Sequence, residues 1–275
     1  MAYNGRMSEH DTAHDSAVNA DARPAGPTEA KSPGLAVVDV NEYGGKKDGE
    51  RQVLNQRLFM QLLIFTATDD PAGSARRLAD KLLEHRVPAI VYDDANDPRG
   101  VALLTWSDDP AHFVARVRHV LVDESLRTLH LQPEFTMLGR TYATGHEPQL
   151  AWSLLERPIE NVTHAAHDWA IWYPLRRTGA FSRLDGHEQA MILREHAHIG
   201  MAYGQAELAH DVRLACHGID RHDNDFVIGL LGKELHPLSH VVQSMRKTVQ
   251  TSQYIEKMGP FFVGRVAHRV TPAPG

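Results

Sequence analysis

One cysteine in 275 residues, Cys216, is too few for an internal disulfide, so packing has to hold this fold together and a reducing compartment suits it. Positive charge is also in short supply. The 29 Lys and Arg stand against 35 Asp and Glu, a formal net charge of −6, which argues against a general nucleic-acid or anionic-membrane surface. A few local arginines remain free to hold a small anion. No apolar run approaches the ~18 residues of a membrane span, and the N-terminus has no apolar signal core; the chain reads as cytoplasmic. There is no P-loop, HExxH, GxSxG or dinucleotide GxGxxG, so those enzyme classes receive no support. Cys216 itself lies in an apolar run and reads as a small buried side chain rather than a reactive thiol.

What the chain does have is 42% apolar residues, enough for a sizeable core. Residues 1–50 are expected to form a disordered tail, because the opening stretch is polar, rich in Ala, Asp, Pro and Gly, and without periodicity. The pattern then changes. LFMQLLIFTATD reads as a strand, ARRLADKLLEH as an amphipathic helix, AIVYDD and GVALLTWSD as strands, and DPAHFVARVRHVLVD as a second helix. After a linker of about thirty residues the same order returns: DWAIWYPLR, the helix GHEQAMILREHAHIG, the strands DVRLACHGID and NDFVIGLLG, and the helix HPLSHVVQSMRK. The fold class is therefore α+β, two ferredoxin-like halves at about 55–155 and 160–270, stacked or closed into a barrel. A pocket between helix and sheet could hold a ligand.

The helix of the second half carries two histidines, His196 and His198, whose positions two apart point them about 200° away from each other. Asp185 and Glu188 form a capping box that fixes the register. Ile192, Leu193, His196, Ala197 and Gly200 then share one stripe, while Arg194, Glu195 and His198 take the polar side. From the pattern alone, His196 reads as a core histidine with satisfied nitrogens or as a ligand to a flat cofactor such as haem. HGIDRHDND (217–225) reads as a polar hairpin connection and HAAHDW (164–169) as a solvated linker.

Four stretches in order, WYPLRR (172–177), EHAHIG (195–200), GIDRHDNDFVIGL (218–230) and MRKTVQTSQYIEKMGPFFVG (245–264), resemble the chlorite dismutase family, which includes chlorite dismutases and coproheme decarboxylases. The resemblance implies a dimeric α+β barrel subunit, haem-bound in its C-terminal half and assembled into a homopentamer. His196 matches the proximal iron ligand, with Ala197 where the family has Gly. Tyr173 of the Tyr-Pro pair matches the tyrosine that becomes the catalytic radical in the decarboxylases, and its 23-residue distance to His196 suits the actinobacterial type. Chlorite dismutases lack this tyrosine. The resemblance therefore implies peroxide-dependent conversion of iron coproporphyrin III (coproheme) to haem b, in which substrate and cofactor are one molecule. It also implies cationic and hydroxyl partners for the propionates: Arg177 and Arg157, and Thr251 and Ser252 near the last helix. For the distal side Arg213 is a candidate, with Asp211 and His210 equally compatible in register.

Two departures tilt away from chlorite dismutation. Only Phe181 remains where many members carry paired aromatics, and the carboxylate that can bond the proximal imidazole is replaced around Val249 and Gln250, which makes His196 less anionic. A chlorite dismutase or haem peroxidase stays as the alternative within the class. A haem-binding or trafficking protein without turnover is the alternative outside it.

Overall fold

The structure is a computed structural model that describes residues 38–272. It opens on a hairpin, β1 (Glu42–Lys47) and β2 (Glu50–Leu54), turned by Asp48 and Gly49. Both turn residues have positive φ, 53° and 88°, the conformation that a two-residue type I′ turn demands and that Asp-Gly supplies at low cost. The hairpin begins inside the stretch expected to be tail; residues 1–37 of that tail lie outside the described residues.

The first repeat then runs β3 (Phe59–Ala67), α1 (Pro71–Glu84), β4 (Ala89–Asp94) and β5 (Gly100–Ser107). A π-helical turn at Phe113–Val117 continues into α2 (Arg118–Leu121), followed by β6 (Leu129–Leu131) and β7 (Met137–Arg140). Asp70 starts α1 by accepting the N–H groups of Ala72 and Gly73, with Pro71 in the first turn. The expected thirty-residue linker is not one. It starts at the end of β6 and contains β7 and most of α3 (Arg157–Thr163). Four residues with a glycine make β7 too short to read as a strand, and Pro158 disguises α3, although proline is tolerated in a first turn.

The second repeat runs β8 (Trp169–Arg177), α4 (Gly179–Arg183), α5 (Gly186–Gln205), β9 (His210–Ala215) and β10 (Phe226–Gly232). It ends with α6 (Leu235–Met245), α7 (Val249–Tyr254), β11 (Ile255–Met258) and β12 (Phe262–Val270). Strand order is β7-β3-β5-β4 in the first repeat and β12-β8-β10-β9 in the second, the same ferredoxin-like antiparallel order twice. The repeats join head to tail. β4 pairs with β12 from Ala89↔Val270 to Asp94↔Gly264, and β7 meets β9 at the pair Arg140↔Ala215, so these eight strands close into a barrel.

Closure gives the molecule three cores. Alternating residues such as Met60, Leu62, Tyr92, Leu104, Trp172, Leu214 and Phe262 fill the barrel interior. Outside the first repeat, Ala75, Leu78, Ala79 and Leu82 of α1 cover Val91, Val101 and Leu103. Outside the second, Ile171, Tyr173, Leu175 and Leu230 pack with Leu238 and Val241 of α6. Here the repeats differ: α5, at 20 residues the longest helix described, has no fully buried residue at all. Among the described residues no helix is long and apolar enough to cross a membrane.

Gly229 lies directly across from Trp172 in the β8–β10 ladder, and a Cβ there would sit 2.6 Å from the indole ring. Gly229→Ala should destabilise the protein by about 1–3 kcal/mol, the usual cost of overfilling a packed core. Denaturant unfolding followed by tryptophan fluorescence measures it.

Candidate functional site

Period-two alternation along β8 sends Trp172 into the barrel and Tyr173, Leu175 and Arg177 to the outer face, under α5. The ladders extend that face. Ile228 of β10 pairs with Tyr173 on one side and Arg213 of β9 on the other, so the three form one row across the sheet. Leu230 pairs in the same way with Ile171 and Asp211.

Tyr173 is 6% exposed and its ring stacks on Phe261 at 4.6 Å. Burial raises its pKa, and the Asp211 carboxylate adds to the effect, so the phenol keeps its proton at neutral pH. Its hydroxyl makes no hydrogen bond among the described residues. Arg177 lies between two aromatic faces, 4.7 Å from the centroid of Phe181 and 4.5 Å from that of Phe226. Its Nε is buried without a partner, and desolvation lowers its pKa. A buried guanidinium with an unused donor is prepared for an anion.

His196 approaches this face from above. The Asp185–Glu188 capping box is present and sets the register of α5. Ile192, Leu193 and His196 are half-buried and His198 is exposed, as the sequence pattern requires. The inward stripe continues through Ile199 and Tyr203, three and seven residues on, which pack against the Tyr173 core. Ala197 and Gly200, expected on the stripe, are exposed at its edge. His196 Nδ1 is buried with no partner. Desolvation, reinforced by the charges of Arg177 and Arg213, pushes its pKa down to about 4, so the imidazole is neutral with a lone pair available. This is not a satisfied core histidine. An unpartnered imidazole on the inner face of a helix without fully buried residues fits a flat ligand that takes a nitrogen donor, as haem iron does.

Arg157 and Arg213 both converge on Asp211. Arg157 Nη2 donates to Oδ1, and Arg213 Nε donates to Oδ2 at 2.9 Å. Burial pushes the Asp211 carboxyl up, but the two guanidiniums outweigh it and hold its pKa below the ordinary value. Tyr142, from the loop after β7, joins Glu147 and these three residues around a small polar cavity of about 50 Å³, room for a few waters at most. Nothing in the sequence pointed to Tyr142, because its contribution depends on β7 meeting β9.

The remaining expectations fall outside this cluster. Thr251 Oγ1 accepts the Thr248 hydroxyl at 3.2 Å, and Ser252 Oγ donates to the Thr248 carbonyl, so both recorded contacts lie at the start of α7. His210, one of the distal candidates, stacks on His167 at 4.7 Å and bonds Glu207 at 3.1 Å. HAAHDW is not a solvated linker: His167 is 6% exposed, its ring between those of His164 and His210. On the α7 side, Val249 N–H donates to Glu195, which ties the two helices, and Gln250 is buried with an unpartnered Oε1. HGIDRHDND connects β9 to β10, and Cys216 is buried.

Residues 149–267, the second repeat with the approach to it, match the family model described as "Chlorite dismutase". Over that stretch the chain is similar to the chlorite dismutase family. Solved structures share the fold across both repeats. A haem-binding protein from Thermus thermophilus is 16% identical, covers 78% of this chain and 92% of its own, and superposes with a TM-score of 0.62. Chlorite dismutase from Candidatus Nitrospira defluvii in complex with imidazole is 14% identical, covers 76% and 90%, and gives 0.59. No curated protein sequence matches.

The depressed pKa of His196 predicts a pH signature for the ligand-free protein. The unfolded chain takes up a proton near pH 6.5 while the folded chain resists until about pH 4, so this site destabilises the fold as pH falls through that window. His196→Leu should raise Tm, and the gain should be larger at pH 5 than at pH 7 by scanning calorimetry.

Proposed function

We propose that this protein is a peroxide-dependent coproheme decarboxylase that converts iron coproporphyrin III to haem b. The observation that carries the reading is the buried, protonated Tyr173 on the sheet face beneath the inward stripe of His196. The family match supports a haem-type ligand in general; the tyrosine supports decarboxylation in particular.

An iron porphyrin bound in this pocket would supply, with peroxide, a two-electron oxidant. His196 would hold the iron through its neutral ring, and the α7 side offers it no carboxylate at Val249 or Gln250. Arg177 would receive one propionate on its unpartnered Nε, with Arg157 and Arg213 as further cations. Tyr173, kept neutral by burial, would give up an electron and a proton together and then take a hydrogen atom from the propionate carbon β to the carboxyl group. Each propionate then becomes a vinyl group. Propionate, one peroxide and one proton yield vinyl, carbon dioxide and two waters, and two such rounds complete the conversion. The same reading takes the protein as a cytoplasmic homo-oligomer, a homopentamer.

A second reading draws on Arg213, whose guanidinium shares the row with Tyr173, and on the chlorite dismutase neighbours: turnover of chlorite to chloride and oxygen. A third, haem binding without turnover, is what the Thermus thermophilus neighbour's description suggests.

Mass spectrometry of the porphyrin after peroxide is added to protein loaded with iron coproporphyrin III separates them. The wild type should lose two carboxyl groups as carbon dioxide through a three-propionate intermediate. Tyr173→Phe should be slower by at least about 100-fold, the order expected when a group acting only in the chemical step is removed. Four intact propionates in the wild type would overturn the proposal, and oxygen release from chlorite would favour the second reading.

A further inference from the structure

Three guanidiniums belong to this site, but they are not in the same state. Arg177 has no ion pair from its side chain among the described residues and keeps a buried, unpartnered Nε. Arg157 and Arg213 are both occupied by one internal anion, each taking a different oxygen of Asp211. That is the arrangement a ligand carboxylate would adopt between the same two arginines. Asp211 is also fixed in place: Asn161 Nδ2 donates to its backbone carbonyl at 3.0 Å, which seats α3 against β9. Yet a third of its side chain stays exposed, and it helps line the small polar cavity.

We propose that Asp211 is a specificity-determining residue, an internal carboxylate that stands in for a ligand carboxylate and limits how many the pocket accepts. The proposal rests on the porphyrin reading above. Two cations against two anions, Asp211 and the Glu147 that lines the same cavity, leave this subsite with no net positive charge to spare. A ligand carboxylate entering it must displace Asp211 or bind beside it against like-charge repulsion. Arg177 is under no such restriction, so the first carboxylate binds there and Asp211 grades the entry of each further one. The same anion also bears on Tyr173, so the carboxylate that sorts ligands helps keep the phenol protonated.

The test uses the full chain and two iron porphyrins differing in carboxylate number, iron coproporphyrin III with four and iron protoporphyrin IX with two. Kd is measured for each by the shift of the porphyrin absorption band. Asp211→Asn keeps the size and removes the charge. It should improve the affinity for the four-carboxylate porphyrin, relative to the two-carboxylate one, by about tenfold, an effect of ~1.4 kcal/mol, and salt at about 0.5 M should shrink the gain. Asp211→Ser is measured alongside, so a folding defect in one variant still leaves the ratio readable. Asn161→Ala, which loosens α3 without altering charge, should leave the ratio where it is. An unchanged or reversed ratio in the Asp211 variants, or a ratio that Asn161→Ala moves equally, overturns the proposal while the porphyrin reading stands. A wild type that takes up neither porphyrin overturns both.

Discussion

Everything in this structure depends on β12 being paired along both edges, with β4 on one side and β8 on the other. With the β7–β9 contact, that double pairing turns two open sheets into a ring and removes their free edges. It also changes what the helices are for. An open ferredoxin-like sheet keeps its inner face dry by packing on something else, whereas a closed ring fills its own interior, here with side chains from Met60 to Phe262. The outer layer is then relieved of part of its structural duty.

The two repeats use that freedom differently. In the first, α1 is pressed onto the sheet and buries a continuous stripe from Ser74 to Leu82. In the second, α5 begins from an equally firm cap and runs longer, yet it stays half-exposed along its whole inner face. On its inner face and beneath it are groups that burial normally forbids: its own imidazole and a guanidinium with unused nitrogens, and a phenol without a hydrogen bond. Their strain against solvation is tolerated because the barrel core and the first repeat supply the cohesion.

Local signals make much of this legible in the sequence. The repeat of strand and helix patterns marks the two halves, and Asp185 with Glu188 sets the register that turns His196 inward and His198 outward. Alternation along WYPLRR puts Tyr173 and Arg177 on one face. The hidden part depends on distant partners. Asp211 meets Arg157 across 54 residues, through a helix that resembles a linker. Tyr142 enters from the other repeat, and His167 is covered in part by His210 from the start of β9. Past His196 the stripe on α5 departs from expectation, because the small residues that suggest close approach sit at its edge while Ile199 and Tyr203 make the contact. The first hairpin is masked by the tail-like composition around it, although Asp48-Gly49 between alternating residues is a strong local turn signal.

A helix with no fully buried residue has an evolutionary consequence. Most substitutions on α5 leave the barrel untouched, so selection acts on this helix almost solely through what lies beneath it. The interior residues have no such latitude, because each fills space that its neighbours cannot. The duplicated unit has thus divided into a fixed container and a freely revisable cover, and a lineage can change what the pocket holds without having to reinvent the fold.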